Sequence, residues 1–252
     1  MANSLAEVWR VSRLSLDVLR RMAVERGPRA ALGFAWLGFS RALQGRALPH
    51  TPDVNRLVWT HYDWSRGGQE WSESPGWTAS VVEHLLHPHV PVGSRVLEIG
   101  PGAGRWTEYL VPRASRLVLV DVTPKCIELC RQRFQTHGHV EYVVTDGADL
   151  GSLTPGSIDR IWCWDVFIHV QVQDQERYLR RFAAVLAPGG AGLVLHTVAP
   201  YARGWRSVVT SAQMAQMCRA QGLAVVRQFN TWGDGRWTTP TPRDLITVFA
   251  RP

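Results

Sequence analysis

The chain has 252 residues, 45% hydrophobic and 19% charged, a composition that supplies a sizeable core and excludes a disordered or fibrous chain. The net charge is +7, yet eight Arg against Glu7, Asp17 and Glu25 place +5 of it in residues 1–50, so the bulk of the chain is nearly neutral and lacks the distributed basic surface of a nucleic-acid binder. No apolar run reaches the length of a membrane span, Arg10, Arg13 and Arg20 interrupt any signal-peptide core, and Cys126, Cys130, Cys163 and Cys218 form no CxxC pair, which together point to a reduced, cytoplasmic protein with no integral membrane segment.

In chain order, Val8, Val11, Leu14, Val18 and Met22 recur every three or four residues and predict a helix that Gly27-Pro28 ends. A second helix is expected over about 29–43, rich in Phe34, Trp36, Leu37 and Phe39. Residues 49–80 read as an irregular, Trp-rich stretch whose Trp59, Trp64, Trp71 and Trp77 hold too much apolar area to stand in water. From there the pattern is regular. A helix over 78–87 ended by Pro88, a strand over 95–99, a glycine turn and a helix over 104–112 come first. Strand 117–120, helix 124–135, and strands 141–144 and 159–164 follow. Helix 173–187 runs up to Pro188-Gly189-Gly190, then strand 191–196, helix 207–221, and two last strands over 223–229 and 244–250. Strands alternating with helices predict a parallel sheet covered on both faces, and the last two, lacking a helix between them, are expected to be antiparallel neighbours. Two segments follow: an N-terminal helical and Trp-rich lid over 1–77, and the α/β domain over 78–252.

In such a sheet, ligands bind at the carboxyl ends of the strands, where strand order reverses. The candidate here is the run from Val96 to Gly104, in which Gly100, Gly102 and Gly104 alternate with other residues directly after a strand. Without Cβ atoms the backbone turns tightly and approaches a ligand closely. The spacing differs from the GxGxxG of dinucleotide binders, and Glu98 at the strand end suits an ammonium-bearing ligand and opposes a pyrophosphate. Asp121, 17 residues after Gly104, ends the next strand, where a carboxylate can accept two ribose hydroxyls. Asp146-Gly147 follows the third strand, where the carboxylate can take an amino proton of adenine, and Asp165 follows the fourth.

The ordered series Glu98-x-Gly100-x-Gly102-x-Gly104, Asp121, Asp146-Gly147, Asp165 and Leu186-x-Pro188-Gly189-Gly190 resembles the class I S-adenosylmethionine-dependent methyltransferases over about 80–252. The resemblance implies a Rossmann-like, doubly wound α/β fold with a seven-stranded sheet whose last strand is antiparallel, here with an N-terminal helical extension. It implies S-adenosyl-L-methionine as cofactor. Glu98 and the glycine turn would hold its methionine part, Asp121 with Val122 its ribose, Asp146 and Gly147 its adenine, and Asp165 with Val166 would lie beside the sulfonium.

Methyl transfer needs alignment and, for a hydroxyl acceptor, a base. Two histidines stand at the relevant strand ends: His169 after Asp165, and His196 closing the fifth strand. Tyr201 and Trp205 lie in the short loop that follows, which has no room for an inserted lid. Tyr62, Trp64 and Trp71 are therefore expected to fold over the cofactor and line an apolar acceptor pocket, or else to brace the sheet edge. His84, His87 and His89 straddle a helix end without supporting ligands, so no metal is expected. The expectation is an O-methyltransferase of small, apolar metabolites in natural-product chemistry. RNA methylation, a non-catalytic cofactor-binding scaffold and an NAD-dependent oxidoreductase are the rivals. The N-terminal helices offer a homodimer contact or a membrane-surface contact.

Overall fold

The computed structural model describes residues 16, 18–43, 50–200 and 206–252. A single mixed sheet of seven strands organises the chain in the order β3-β2-β1-β4-β5-β9-β6. Its strands are β1 (Ser94–Ile99), β2 (Ala114–Asp121), β3 (Val140–Val144), β4 (Ile158–Cys163), β5 (Leu186–Thr197), β6 (Ala224–Phe229) and β9 (Asp244–Ala250). The first five run parallel, and β9 slots between β5 and β6, antiparallel to both. The antiparallel final pair matches the sequence expectation.

The alternation within β1 shows why the sheet is covered on both sides. Val96 joins a cluster with Leu117, Leu119, Trp162 and Leu193, while Leu97 and Ile99 join Val118, Val120, Ile161 and Phe249 on the other face. Helices supply the outer layers. The first face takes α3 (Pro75–Val81), α4 (Thr107–Leu110) and α5 (Pro124–Phe134), the last presenting Ile127, Cys130 and Phe134 at helical spacing. The second takes α6 (Val172–Val185) and α7 (Ser211–Ala220), with Tyr178, Leu179, Phe182 and Val185 facing in.

Several boundaries differ from the pattern reading. α3 does not stop at Pro88: it widens to a π-helix over Val82–Leu86 and adds a short turn, His87–His89. Pro88 stands in the first turn of that short segment, where a missing N–H is tolerated. α6 ends at Val185 because Leu186 and Ala187 already run into β5 ahead of Pro188, and residues preceding proline disfavour helical geometry. α4 is one turn long, and α7 starts at Ser211, behind a Thr210 capping box closed by Gln213. A small hairpin of β7 (Thr231–Trp232) and β8 (Trp237–Thr238) was not expected.

Ahead of the sheet lie the helical residues 18–26, α1 (Pro28–Leu43) and α2 (Pro52–His61). The helix α2 corrects the reading of 49–80 as irregular. Its start carries a recognisable signal, Thr51 as cap, Pro52 in the first turn and acidic Asp53 beside it. Interleaved polar residues obscured its apolar spacing. These helices form a third, smaller cluster in which Val18, Met22, Ala31, Val58 and Tyr62 are buried. Arg21 pairs with Asp63 at 2.9 Å and Glu25 with His61 at 2.7 Å, fastening residues 18–26 to α2 and its exit.

Candidate active site

Strand order reverses between β1 and β4, and the residues singled out from the sequence gather at that edge. β1 delivers Glu98 and the glycine bend. Gly100, Gly102 and Gly104 have φ of 64°, 58° and 89°, the left-handed region in which side chains are strained. The bend is fixed from behind by α5. Arg133 Nη1 donates to the carbonyls of Ala103 and Gly104, both at 3.1 Å, and the Cys130 thiol donates to Gly102 O at 3.3 Å.

Glu98 is almost fully buried and accepts a 2.7 Å bond from the Thr107 hydroxyl. Burial pushes its carboxyl up to about 8, against the pull of Thr107 and Arg105. Asp121, at the tip of β2, accepts from the Thr123 amide at 2.8 Å. Burial raises it to about 6, although amides from Thr123, Gly102 and Val122 favour its charged form. The Thr145 amide closes the neighbouring strand end onto Asp121 O at 3.0 Å. Asp146 is exposed, while Gly147 is buried with φ 125°.

Asp165, after β4, has φ 59°, uncommon for a residue with a side chain, and is held by an ion pair with Arg105 at 2.6 Å. Arg105 follows the glycine bend directly and was missed from the sequence because a lone Arg carries no pattern. It is buried, its guanidinium lies 4.7 Å from the Trp106 ring centroid, and its Nη1 is buried with no hydrogen-bond partner. Val166 packs so tightly on the bend that a Cβ on Gly100 would come within 2.4 Å of it.

The Trp-rich stretch roofs this edge. A Cβ on Gly102 would lie 2.8 Å from the Trp64 ring, and one on Gly147 would lie 2.6 Å from Pro52. The roof is tied down by Asn55 to His169 O at 2.6 Å, Arg56 to Val122 O at 3.1 Å and Lys125 to Thr60 O at 2.8 Å. Within it, Tyr62 meets Trp64 and Trp71 at ring distances of 4.7 and 5.7 Å and donates to Glu70 at 2.6 Å. Burial and Glu70 together raise the Tyr62 hydroxyl well above its ordinary value.

The two histidines part company. His169 lies in the 3₁₀ turn Phe167–His169 and meets the Trp59 ring edge-on at 5.3 Å, at the seam of roof and sheet. His196 is fully buried, with Nδ1 on Val209 O at 3.0 Å and Nε2 on the Thr247 hydroxyl at 2.8 Å. Both nitrogens are engaged in the core, and burial lowers the ring to about 4. The expectation of a base at His196 is therefore corrected to a structural role. Tyr201 and Trp205 lie outside the described residues.

A β1–β4 switch point, a glycine bend and acidic strand tips on a 3-2-1-4-5-9-6 sheet make up a Rossmann-like, doubly wound fold with an antiparallel last strand, the fold shared with the methyltransferase structures below. The family description "Methyltransferase domain" matches residues 96–190, the stretch that runs from β1 through the glycine bend to the start of β5. The chain is 31% identical over 127 residues to a ubiquinone biosynthesis O-methyltransferase of Xanthomonas euvesicatoria pv. vesicatoria, an alignment covering 45% of this chain and 52% of that protein. The chain thus spans about half the length of the relatives it matches. Among solved structures, it resembles the N-methyltransferase NodS of Bradyrhizobium japonicum WM9 bound to S-adenosylhomocysteine, with TM-score 0.59, 21% identity and coverage of 73% of this chain and 91% of that one. It also resembles the 1,6-didemethyltoxoflavin-N1-methyltransferase of Burkholderia thailandensis, with TM-score 0.56, 20% identity and coverage of 75% and 83%.

The donor set suits an adenosylated sulfonium amino acid. A carboxylate at the β2 tip fits two vicinal hydroxyls, buried Glu98 fits a cationic amine, and the orphaned Arg105 Nη1 fits a carboxylate.

Proposed function

We propose that the chain is an S-adenosylmethionine-dependent methyltransferase acting on a small, predominantly apolar molecule. The observation that carries the reading is the convergence of Glu98, the Gly100–Gly104 bend and Asp121 at the switch point of the sheet. The bound cofactor would supply a methyl group on a positively charged sulfur, open to displacement by an oxygen, nitrogen or carbon nucleophile. The chain's residues then bind, orient and exclude water. Asp121 with Val122 holds the ribose hydroxyls, Asp146 and Gly147 border the adenine, and Glu98 with Arg105 takes the amino-acid end. Asp165, with Val166 beside it, borders the reacting sulfur through its tie to Arg105.

The roof over 50–71 serves as the lid of this site, within an N-terminal segment 1–77 that we separate from the catalytic domain 78–252. Tyr62, Trp64 and Trp71 present aromatic faces to the acceptor, and His169 at the seam with Trp59 is positioned to take a proton from a hydroxyl acceptor. That assignment favours O-methylation, in keeping with the name of the ubiquinone O-methyltransferases to which 45% of the chain aligns. A metabolite of secondary metabolism handled in the cytoplasm is the setting we favour, without nucleic acid as substrate.

Titration calorimetry tests the reading. S-adenosylhomocysteine is expected to bind and NADH is not. Asp121→Ala removes an acceptor of two charge-assisted bonds and is expected to weaken S-adenosylhomocysteine at least about 50-fold. Binding of NADH in place of the nucleoside would refute the assignment. With an acceptor in hand, Trp64→Ala and Trp71→Ala are expected to raise its KM. Loss of stability alone would reduce the roof to a brace.

A further inference from the structure

Among the described residues, the helix α1 is anchored on one side. Ala31 is buried, and Ala30 and Phe34 pack into the cluster that contains Tyr62, Trp64 and Trp71. The opposite side carries Leu32, Trp36, Phe39 and Leu43, which are 68%, 67%, 55% and 72% exposed. Their spacing of four, three and four residues puts them on a single stripe. Trp36 and Phe39 touch one another, with ring centroids 5.9 Å apart, so neither turns back toward the protein. A soluble surface scatters single apolar residues and does not align four large ones along three helical turns.

Charge decides among the candidate occupants. Arg29 stands one turn before Leu32 on the same face, and Arg20 and Arg26 are exposed on the helical stretch just before Gly27. Of the described acidic groups nearby, Asp63 is paired with Arg21 at 2.9 Å, and Glu25 faces inward, 2.7 Å from the ring of buried His61. With +5 concentrated in residues 1–50, a second copy placed stripe to stripe would bring like charges together. An anionic lipid surface instead offers apolar depth for Trp36 and Phe39 and phosphates for the arginines, whose aliphatic stems reach past the stripe to the headgroups. α1 has 16 residues, and no helix among the described residues is long and apolar enough to cross a membrane, so the geometry is one of lying on a surface.

We propose that α1 docks the protein on an anionic membrane surface through the Leu32–Trp36–Phe39–Leu43 stripe, with Arg20, Arg26 and Arg29 binding lipid phosphates. Because α1 packs directly on the aromatic roof, docking sets the roof at the lipid boundary, and the acceptor class is one that partitions into lipid. That last consequence rests on the methyl-transfer reading; the docking does not.

The experiment is co-sedimentation of the full chain with vesicles of phosphatidylcholine alone or with about one-third phosphatidylglycerol. Binding is expected for the anionic vesicles, weakened by raised salt. Trp36→Ser combined with Phe39→Ser is expected to lower the partition coefficient at least about ten-fold while leaving S-adenosylhomocysteine affinity unchanged. The triple variant Arg20→Gln, Arg26→Gln, Arg29→Gln, which leaves every buried group in place, is expected to abolish the preference for anionic lipid. Absence of binding to anionic vesicles, or binding that neither variant alters, overturns the proposal. So does a dimer by light scattering that Trp36→Ser with Phe39→Ser dissociates in a protein that ignores vesicles. Failure of S-adenosylhomocysteine binding in a protein that still sediments refutes the methyl-transfer reading and leaves the docking intact.

Discussion

Glu98 faces a conflict that its position creates. It sits in a strand between Leu97 and Ile99, so the sheet buries it, and its Thr107 partner only partly offsets the loss of water. A carboxyl whose folded value is about 8, above its unfolded value, binds more protons in the folded state between those limits. Its contribution to stability is therefore fully present below the unfolded value and is lost as pH rises toward 8. Glu98→Gln is expected to stabilise the ligand-free protein at pH 8 by about 1–3 kcal/mol and to flatten the pH slope of denaturant unfolding. On the proposed placement of Glu98 at the cofactor amine, the same substitution is expected to weaken S-adenosylhomocysteine, since an amide offers no charge. A residue kept for folding alone would show neither the gain nor the loss. The carboxylates were legible in the sequence because each lies within two residues of the end of a strand. Arg105 was not, because only folding brings its guanidinium to Asp165.

At the scale of elements, close approach does the specifying. Gly192 in β5 lies where a Cβ would come within 2.3 Å of the Phe249 ring on the adjacent β9, whereas the Cβ of an alanine at Gly102 would meet the Trp64 ring at 2.8 Å. The two glycines look alike in the sequence and have different jobs. Gly192→Ala is expected to cost about 2–3 kcal/mol in unfolding and to leave cofactor affinity within about two-fold. Gly102→Ala, at φ 58°, is expected to lower affinity by ten-fold or more, with a smaller cost in stability of about 1–2 kcal/mol. Calorimetry beside chemical denaturation separates them. The sheet strands were readable as short apolar runs, but their order was not, because it depends on which distant strands pair. α2 was hidden because its buried face is narrow: Asn55, Val58 and His61 are its buried residues, and two of the three are polar.

On the scale of the molecule, the roof and the sheet meet through a few directed bonds, from Asn55, Arg56 and Lys125. Such a contact opens at lower free energy than the sheet it covers. Amide hydrogen exchange is expected to be fast over 50–71 and slow in β1, β2 and β4 without ligand. If the roof serves as the proposed lid, S-adenosylhomocysteine is expected to slow exchange in the roof as well as in the bend. Protection confined to 98–104 and 121–123 would show the roof to be independent of the site. The melting temperature should rise with ligand concentration, as mass action requires.

Taken alone, the sequence determined the layered α/β architecture, the antiparallel final pair and the strand-end positions of Glu98, Gly100–Gly104, Asp121 and Asp165, because these depend on local periodicity and on glycine's freedom at positive φ. Tertiary structure alone decided that His196 belongs to the core, that Arg105 joins the site, and that a Trp-rich segment with a helix inside it lies over the bend. Those outcomes turn on which distant side chains share a space. No spacing along the chain encodes that until the core has closed.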